Sequence, residues 1–357
     1  MLLDFPVIVF SLPFLQKESK KMTNSKIRVA ILGFGLSGRY LQAPFFVTNP
    51  SFELAAVLST RQKEAVHFPN VQFTTDLNAI LEDPTIQLVS ICTPNPTHFD
   101  LAQKCLQAGK HVLIEKPITS TPEEIDQLVE WAQQKDLHIF AFQNRRFDSD
   151  FRTVEALLQQ GMLGEVFKVE ICYDRFRPEP NTKPWKEQQS PSTGLLYDLG
   201  PHGVDQALAL FGPPEAYTGH KYRQRPGSEV DDAFDVLLDY TEVLVHLSAG
   251  LMAREPRPRF AVHGTRGTYY KYGQDVQEEQ LKSGMLPGAP GFGIEPKEQS
   301  GYIVTEENGQ TTRTRLESVP GDWNILFDNI AEVLHGAAEP IISLEDVWTQ
   351  IKILERI

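Results

Sequence analysis

The chain has 357 residues, 41% of them hydrophobic and 23% charged. That is longer than the roughly 100–200 residues usual for one domain and ordinary in make-up for a globular protein. The formal net charge of −13 repels phosphate backbones and anionic lipid, which argues against a nucleic-acid or membrane partner and leaves only a local basic pocket for a small ligand. Cys92, Cys105 and Cys172 form neither an even set nor a Cys-x-x-Cys pair, so no disulfide framework and no metal site is expected, and a cytoplasmic location fits.

Residues 1–15 are apolar, but Asp4, Pro6 and Pro13 interrupt them and no basic leader or small-residue cleavage site accompanies them, so neither a signal peptide nor a membrane span is expected. Residues 1–25 read as an N-terminal extension, either disordered or preceding a true start at Met22. From residue 26 to 145, strand and helix patterns alternate, with apolar runs at 27–32, 54–58, 88–92, 111–114 and 138–142. This rhythm predicts a Rossmann-type, doubly wound parallel sheet covered on both faces. The clearest helix starts at Thr121-Pro122-Glu123-Glu124, a capping box with proline in the first turn, and buries Leu128, Val129 and Ala132.

After Asn144-Arg145-Arg146 the pattern changes. A helix carrying Phe151, Val154, Leu157 and Leu158 stops at Gly161, and residues 166–173, 233–240 and 243–249 favour strands with hairpin-like spacing. Residues 146–357 therefore read as a second α/β domain with an open, largely antiparallel sheet, and the Gly- and Pro-rich stretch 282–300 as a loop. This second domain is expected to bind substrate and to mediate oligomers.

Gly33-Phe34-Gly35-Leu36-Ser37-Gly38 follows the first strand directly and precedes a helix, which is the context a G-x-G-x-x-G loop needs to bind a dinucleotide. Gly33 permits the tight turn, Gly35 the approach of backbone amides to a pyrophosphate, and Gly38 close packing of the helix. Where NAD enzymes usually carry a ribose-binding carboxylate, the second strand ends in Ser59-Thr60-Arg61. Two hydroxyls and a guanidinium suit a 2′-phosphate, so NADP is preferred and NAD remains possible. Thr93, Pro94, Asn95 and His98 follow the third apolar run, and Glu115 and Lys116 the fourth. These carboxyl ends border the nicotinamide side of the crevice in an open α/β sheet.

These segments, followed by Asp198 and His202 in a D-x-x-x-H pair, resemble the Gfo/Idh/MocA oxidoreductases, and within them the NADP-dependent scyllo-inositol dehydrogenases. The resemblance runs from about Ile27 to Gly273. It takes in Asn144 and Arg145, which join the cofactor set, and the stretch from Asp174 to Pro178. It implies hydride transfer between nicotinamide and a secondary hydroxyl or ketone of a cyclitol or sugar, in a homodimer or homotetramer. Carried over, the catalytic residues are Lys116, Asp198 and His202, with Asp174, Arg175, Trp185 and Tyr197 lining the substrate pocket beside them. Glu115 stands where the nearest subfamily often has aspartate.

Pro201 suits a first helical turn, so His202 is expected there, kept neutral by the helix N-terminus and oriented by Asp198. His202 then takes the hydroxyl proton while Lys116 stabilises the alkoxide, although either side chain is a possible proton acceptor. A non-catalytic NADP sensor of the same fold, or a reductase of a keto sugar or dihydrodiol, is the alternative reading.

Overall fold

The computed structural model describes Val7–Ile8 and residues 25–181 and 186–357. Apart from Val7–Ile8 and Ser25, the N-terminal extension lies outside the described residues.

One sheet has six parallel strands in the order Gln72–Thr74, Phe52–Leu58, Ile27–Leu32, Leu88–Ile91, His111–Ile114 and Ile139–Ala141. Val29 to Leu32, Val89 and Val112 to Ile114 are buried, as continuous apolar runs require when helices cover both faces of a sheet. Strand order reverses at Ile27–Leu32, whose neighbours are the second and the fourth strands in sequence. A crevice therefore opens at its carboxyl end. The adjoining strands end level with it, since the Cys92 amide donates to the Leu32 carbonyl at 2.8 Å and the Glu115 amide to that of Ile91 at 3.0 Å. The Pro122–Gln134 helix starts as expected: Thr121 Oγ1 accepts from the Glu124 amide at 3.3 Å, and the Glu124 carboxylate reaches back to the Ser120 amide at 2.8 Å.

The second sheet is nine-stranded, in the order Val7–Ile8, Gln310–Leu316, Tyr302–Glu307, Gly267–Lys271, Phe260–Gly264, Val166–Cys172, Leu244–Gly250, Ala233–Asp239 and Ala216–Tyr222. Two neighbouring pairs are parallel, Val7–Ile8 with Gln310–Leu316 and Val166–Cys172 with Leu244–Gly250, and the remainder are antiparallel. Val169, Ile171, Val236, Leu247, Val262 and Tyr269 on one face form a core with the helices Ser149–Gln159 and Leu195–Phe211. The first of these helices ends as expected, with Gly161 at φ +60°.

The end of the chain returns to the first core. Trp323, Phe327 and Ile330 join it from in and beside the Asn324–Leu334 helix, and Val347 and Ile351 from the Leu344–Glu355 helix. Phe327 stacks on Phe45 at 4.5 Å between ring centroids. Ile353 and Leu354, at the end of the last helix, belong to the second core, so that helix fastens the two together. No helix among the described residues is long and apolar enough to cross a membrane.

Candidate active site

A cleft of about 1420 Å³ lies between the two sheets, and its first wall is the glycine loop. Gly33 has φ +92°, and a Cβ there would come within 2.8 Å of the Cys92 carbonyl oxygen. A Cβ on Gly38 would lie 2.2 Å from the Gly33 carbonyl oxygen, so Gly38 packs beneath the loop and does not face the cleft. A Cβ on Gly35 meets nothing within 4 Å. The loop backbone thus turns an uncluttered side to the cleft, as a pyrophosphate needs. Phe34 anchors it with edge-on contacts to Phe68 and Phe73. The helix that follows opens with a widened π-type turn over Ser37–Gln42, a distortion common at functional sites. There the Ser37 hydroxyl donates to Glu115, and Gln42 Nε2 donates to the same carboxylate at 3.3 Å. Leu36, Ser37 and Glu115 line the cleft.

Ser59, Thr60 and Arg61 stand on the cleft wall at the end of the second strand. Ser59 Oγ accepts from the Arg61 amide at 3.0 Å, which shapes the turn. The Arg61 side chain is exposed and no hydrogen bond or ion pair holds it among the described residues, whereas nearby Glu64 is held by Arg39 at 2.8 Å. Thr93, Pro94, Asn95, Asn144 and Arg145 also line the cleft, and Asn95 Nδ2 donates to the Ser192 carbonyl at 2.9 Å across it.

His98 departs from expectation. It is fully buried away from the cleft, with one ring nitrogen 2.8 Å from the Pro117 carbonyl oxygen and the other 2.9 Å from that of Thr93. It braces the Thr93 and Lys116 loops against each other and touches neither cofactor nor substrate space. Burial disfavours the charged ring, so one N–H serves one of these carbonyls at a time; His98→Leu removes that donor and is expected to lower stability by about 1–3 kcal/mol. A thermal melt should fall while kcat stays close to native; a selective loss of kcat with an unchanged melt would return His98 to the chemistry.

Lys116, Asp198 and His202 meet on the cleft wall. Lys116 Nζ donates to the Asp198 carbonyl at 2.5 Å and lies 3.4 Å from its carboxylate, while Lys186 Nζ holds the same carboxylate oxygen at 2.9 Å. Burial alone pushes the Asp198 carboxyl up, but the charges of Lys116 and Lys186 outweigh it and hold the group ionised. Burial lowers the Lys116 ammonium from its ordinary value; Asp198 opposes that and Lys186 adds to it.

Three expectations about His202 are corrected. The helix runs from Leu195 to Phe211 with Pro201 inside it, so His202 sits well beyond the first turn. The start lies earlier because Asp231, from another segment, caps it: its carbonyl accepts from the Leu195 amide at 2.9 Å and its carboxylate from the Leu196 amide at 2.7 Å. The helix N-terminus therefore does not keep His202 neutral. Burial does, reinforced by the positive charges of Lys116 and Arg145 and opposed by Asp198, and the imidazole is held well below its ordinary value. Nor does Asp198 orient the ring, because its carboxylate is taken by the two lysines and His202 Nδ1 is buried with no hydrogen-bond partner among the described residues.

Asp198, His202 and Gln206 recur at intervals of four and share one helix face. Tyr197 is rotated about 100° from that face, packs half-buried against the second core and does not line the cleft. Asp174 and Arg175 do line it, but the Asp174 carboxylate is gripped by Arg257 through two bonds of 2.7 and 2.9 Å. Trp185 lies outside the described residues. Lys186, Tyr173, Gln206 and Arg259 also belong to the site and went unnoticed in the sequence, where no motif or spacing marks them. Among the described residues no three His, Cys, Asp or Glu side chains are grouped as metal ligands.

Residues 27–142 match the family model described as the oxidoreductase family, NAD-binding Rossmann fold, and residues 155–357 match the C-terminal alpha/beta domain of the same Gfo/Idh/MocA family. The chain is 35% identical over 331 residues to the scyllo-inositol 2-dehydrogenase (NADP(+)) IolW of Bacillus subtilis, covering 92% of each. It is 36% identical to the uncharacterized oxidoreductase YdgJ of Escherichia coli, covering 93% of this chain and 95% of that one. A solved structure of the oxidoreductase yvaA from Bacillus subtilis superposes with a TM-score of 0.88 at 34% identity, over 92% of this chain and 94% of that one.

Proposed function

Since the chain belongs to the Gfo/Idh/MocA oxidoreductase family, we propose that it is an NADP-preferring dehydrogenase oxidising a secondary hydroxyl of a cyclitol or sugar, scyllo-inositol first among them. One observation carries the reading: a single cleft joins the open glycine loop to the grouped side chains of Lys116, Asp198 and His202. The chemistry supplied by a bound dinucleotide is acceptance of the substrate's hydride at the nicotinamide ring. His202, neutral and lining the cleft, takes the hydroxyl proton. Lys116, whose ammonium Asp198 supports against burial, faces the negative charge that develops on the oxygen. Asp198 holds that lysine, and Lys186 steadies Asp198 from the opposite segment.

The preference for NADP is supported by the exposed guanidinium of Arg61, without a partner among the described residues, beside Ser59 and Thr60. The sheet face turned from the helices carries Tyr222, Leu237 and Leu244, each more than a third exposed. That face supports a second copy of the chain as partner, in a homodimer or homotetramer within the cytoplasm.

The experiment is absorbance of the reduced nicotinamide with scyllo-inositol, myo-inositol and a hexose panel, offering NADP and NAD in parallel. Turnover with NADP and one cyclitol is expected. Arg61→Asp should weaken NADP by about 10- to 100-fold, the worth of one or two charge-assisted bonds, and NAD far less; equal weakening of both would remove the phosphate from this turn. Tight NADP binding with no turnover of any polyol, keto sugar or dihydrodiol would make the chain a cofactor sensor.

A further inference from the structure

Asp198 is shared by two cations: Lys186 Nζ lies 2.9 Å and Lys116 Nζ 3.4 Å from the same carboxylate oxygen. One negative charge between two positive ones leaves a positive surplus at the oxygen that becomes an alkoxide. Were Lys186 to withdraw, Asp198 would neutralise Lys116 alone and that surplus would vanish. Holding two long side chains in one geometry costs rotamer entropy, so the position of the Lys186 backbone matters to the pair.

That backbone is fixed from outside the cleft. The next residue, Glu187, is gripped by Arg225, and neither of the two lines the cleft. Arg225 Nη2 donates to Glu187 Oε2 at 3.0 Å and to Oε1 at 3.3 Å, and Nη1 donates to Oε1 at 3.3 Å. Nη1 also donates to the Glu179 carbonyl at 3.1 Å. Arg225 is buried, and its Nε and backbone amide both donate to the fully buried Asp232, at 2.9 and 3.0 Å. The residue before it, Asp231, governs the other half of the ion pair. It caps the helix that carries Asp198, and it packs so closely there that a Cβ on Gly194 would lie 2.0 Å from its carboxylate. Two successive residues thus fix both members of the Lys186–Asp198 pair: Asp231 the helix, and Asp232, by way of Arg225 and Glu187, the lysine.

We propose that Arg225 is a positioning residue for the reaction: through Glu187 it holds Lys186 on Asp198, and so preserves the surplus positive charge that Lys116 presents to the substrate oxygen. Its effect on turnover rests on the dehydrogenase reading above. The ionisation of Lys116 reports the arrangement. Asp198 and His202 face that ammonium from the helix, Glu115 and His98 from the first sheet, and Arg145 and Lys186 from the second domain. Lys186 lowers it, so withdrawing Lys186 raises it, and the activity that needs a charged lysine then persists to higher pH.

The test uses Lys186→Met, Glu187→Ala, the double variant, and Arg225→Lys. The last keeps a charge beside Asp232 but lacks the fork that spans both carboxylates. Each single change is expected to lower kcat by about tenfold with NADP affinity near native, and to move the alkaline limb of kcat to higher pH. The double variant should be no worse than Lys186→Met, because both changes act on one contact. Losses that multiply, or an alkaline limb unmoved in Glu187→Ala and Arg225→Lys, would make the Arg225–Glu187 contact structural and overturn the proposal. Either of these two variants carries the comparison if the other fails to fold. A second readout needs no turnover: acetylation of Lys116 by acetic anhydride, followed by peptide mass against pH, reports its neutral amine. That curve should move to higher pH in Glu187→Ala as in Lys186→Met, and an unmoved curve overturns the proposal. If the native chain turns over no polyol, the dehydrogenase reading falls and the acetylation curve alone decides whether Arg225 places Lys186.

Discussion

Replacing His202 by asparagine is expected to lower kcat for polyol oxidation by about 10²–10⁴-fold, the usual worth of a positioned general base, with NADP affinity close to native. The loss belongs to the proton transfer, because the ring lines the cleft beside Lys116 and lies on a different element from the glycine loop. His202 must be neutral to accept a proton, and its buried ring is held well below 6.5. Native activity should therefore persist as pH falls through 6.5 and decline only at more acid values. Asparagine is close in size, so the thermal melt should shift little; an intact melt with an undiminished kcat would assign the proton to another group.

Lys116→Met is expected to lower kcat/KM by about 10²–10³-fold, as loss of a donor at a developing oxyanion does, and to change the pH profile in a definite direction. After burial, the Lys116 charge is the next largest influence lowering the His202 imidazole. Without it the imidazole binds its proton more readily, so the acid limb of the remaining activity should move up toward 6.5. A profile of kcat/KM against pH measures this. If Lys116 were itself the proton acceptor, the acid limb would report the lysine and disappear with it, while His202→Asn would keep a native limb.

Much of this site was legible because its cofactor half is built from local rules. Gly33 must satisfy a turn and Gly38 a packing contact that each exclude a side chain, and the structure shows both, while Gly35 opens on free space. The capping box at Thr121 works through neighbours in sequence and formed as read. What stayed hidden depends on partners far along the chain. Asp231 moves the start of the His202 helix from where Pro201 suggested it, and the electrostatic reason for a neutral imidazole changes with it. Lys186 acquires its place only when its segment folds across Asp198. Arg259 is an ordinary arginine before a strand until Tyr173, Gln206 and Asp150 surround it. His98 sits in a motif loop and suggested ligand contact, but two backbone carbonyls claim it first.

The return of the final helices to the first core reverses the order in which the molecule can be finished. The six parallel strands all lie before residue 142, yet Trp323, Phe327, Ile330, Val347 and Ile351 complete their packing. A nascent chain emerging from the ribosome would hold the whole sheet with Phe45 and Phe46 still lacking the ring of Phe327 that covers them. That sheet must wait for residues made about 180 positions later, and until then its aromatic wall stands unfinished.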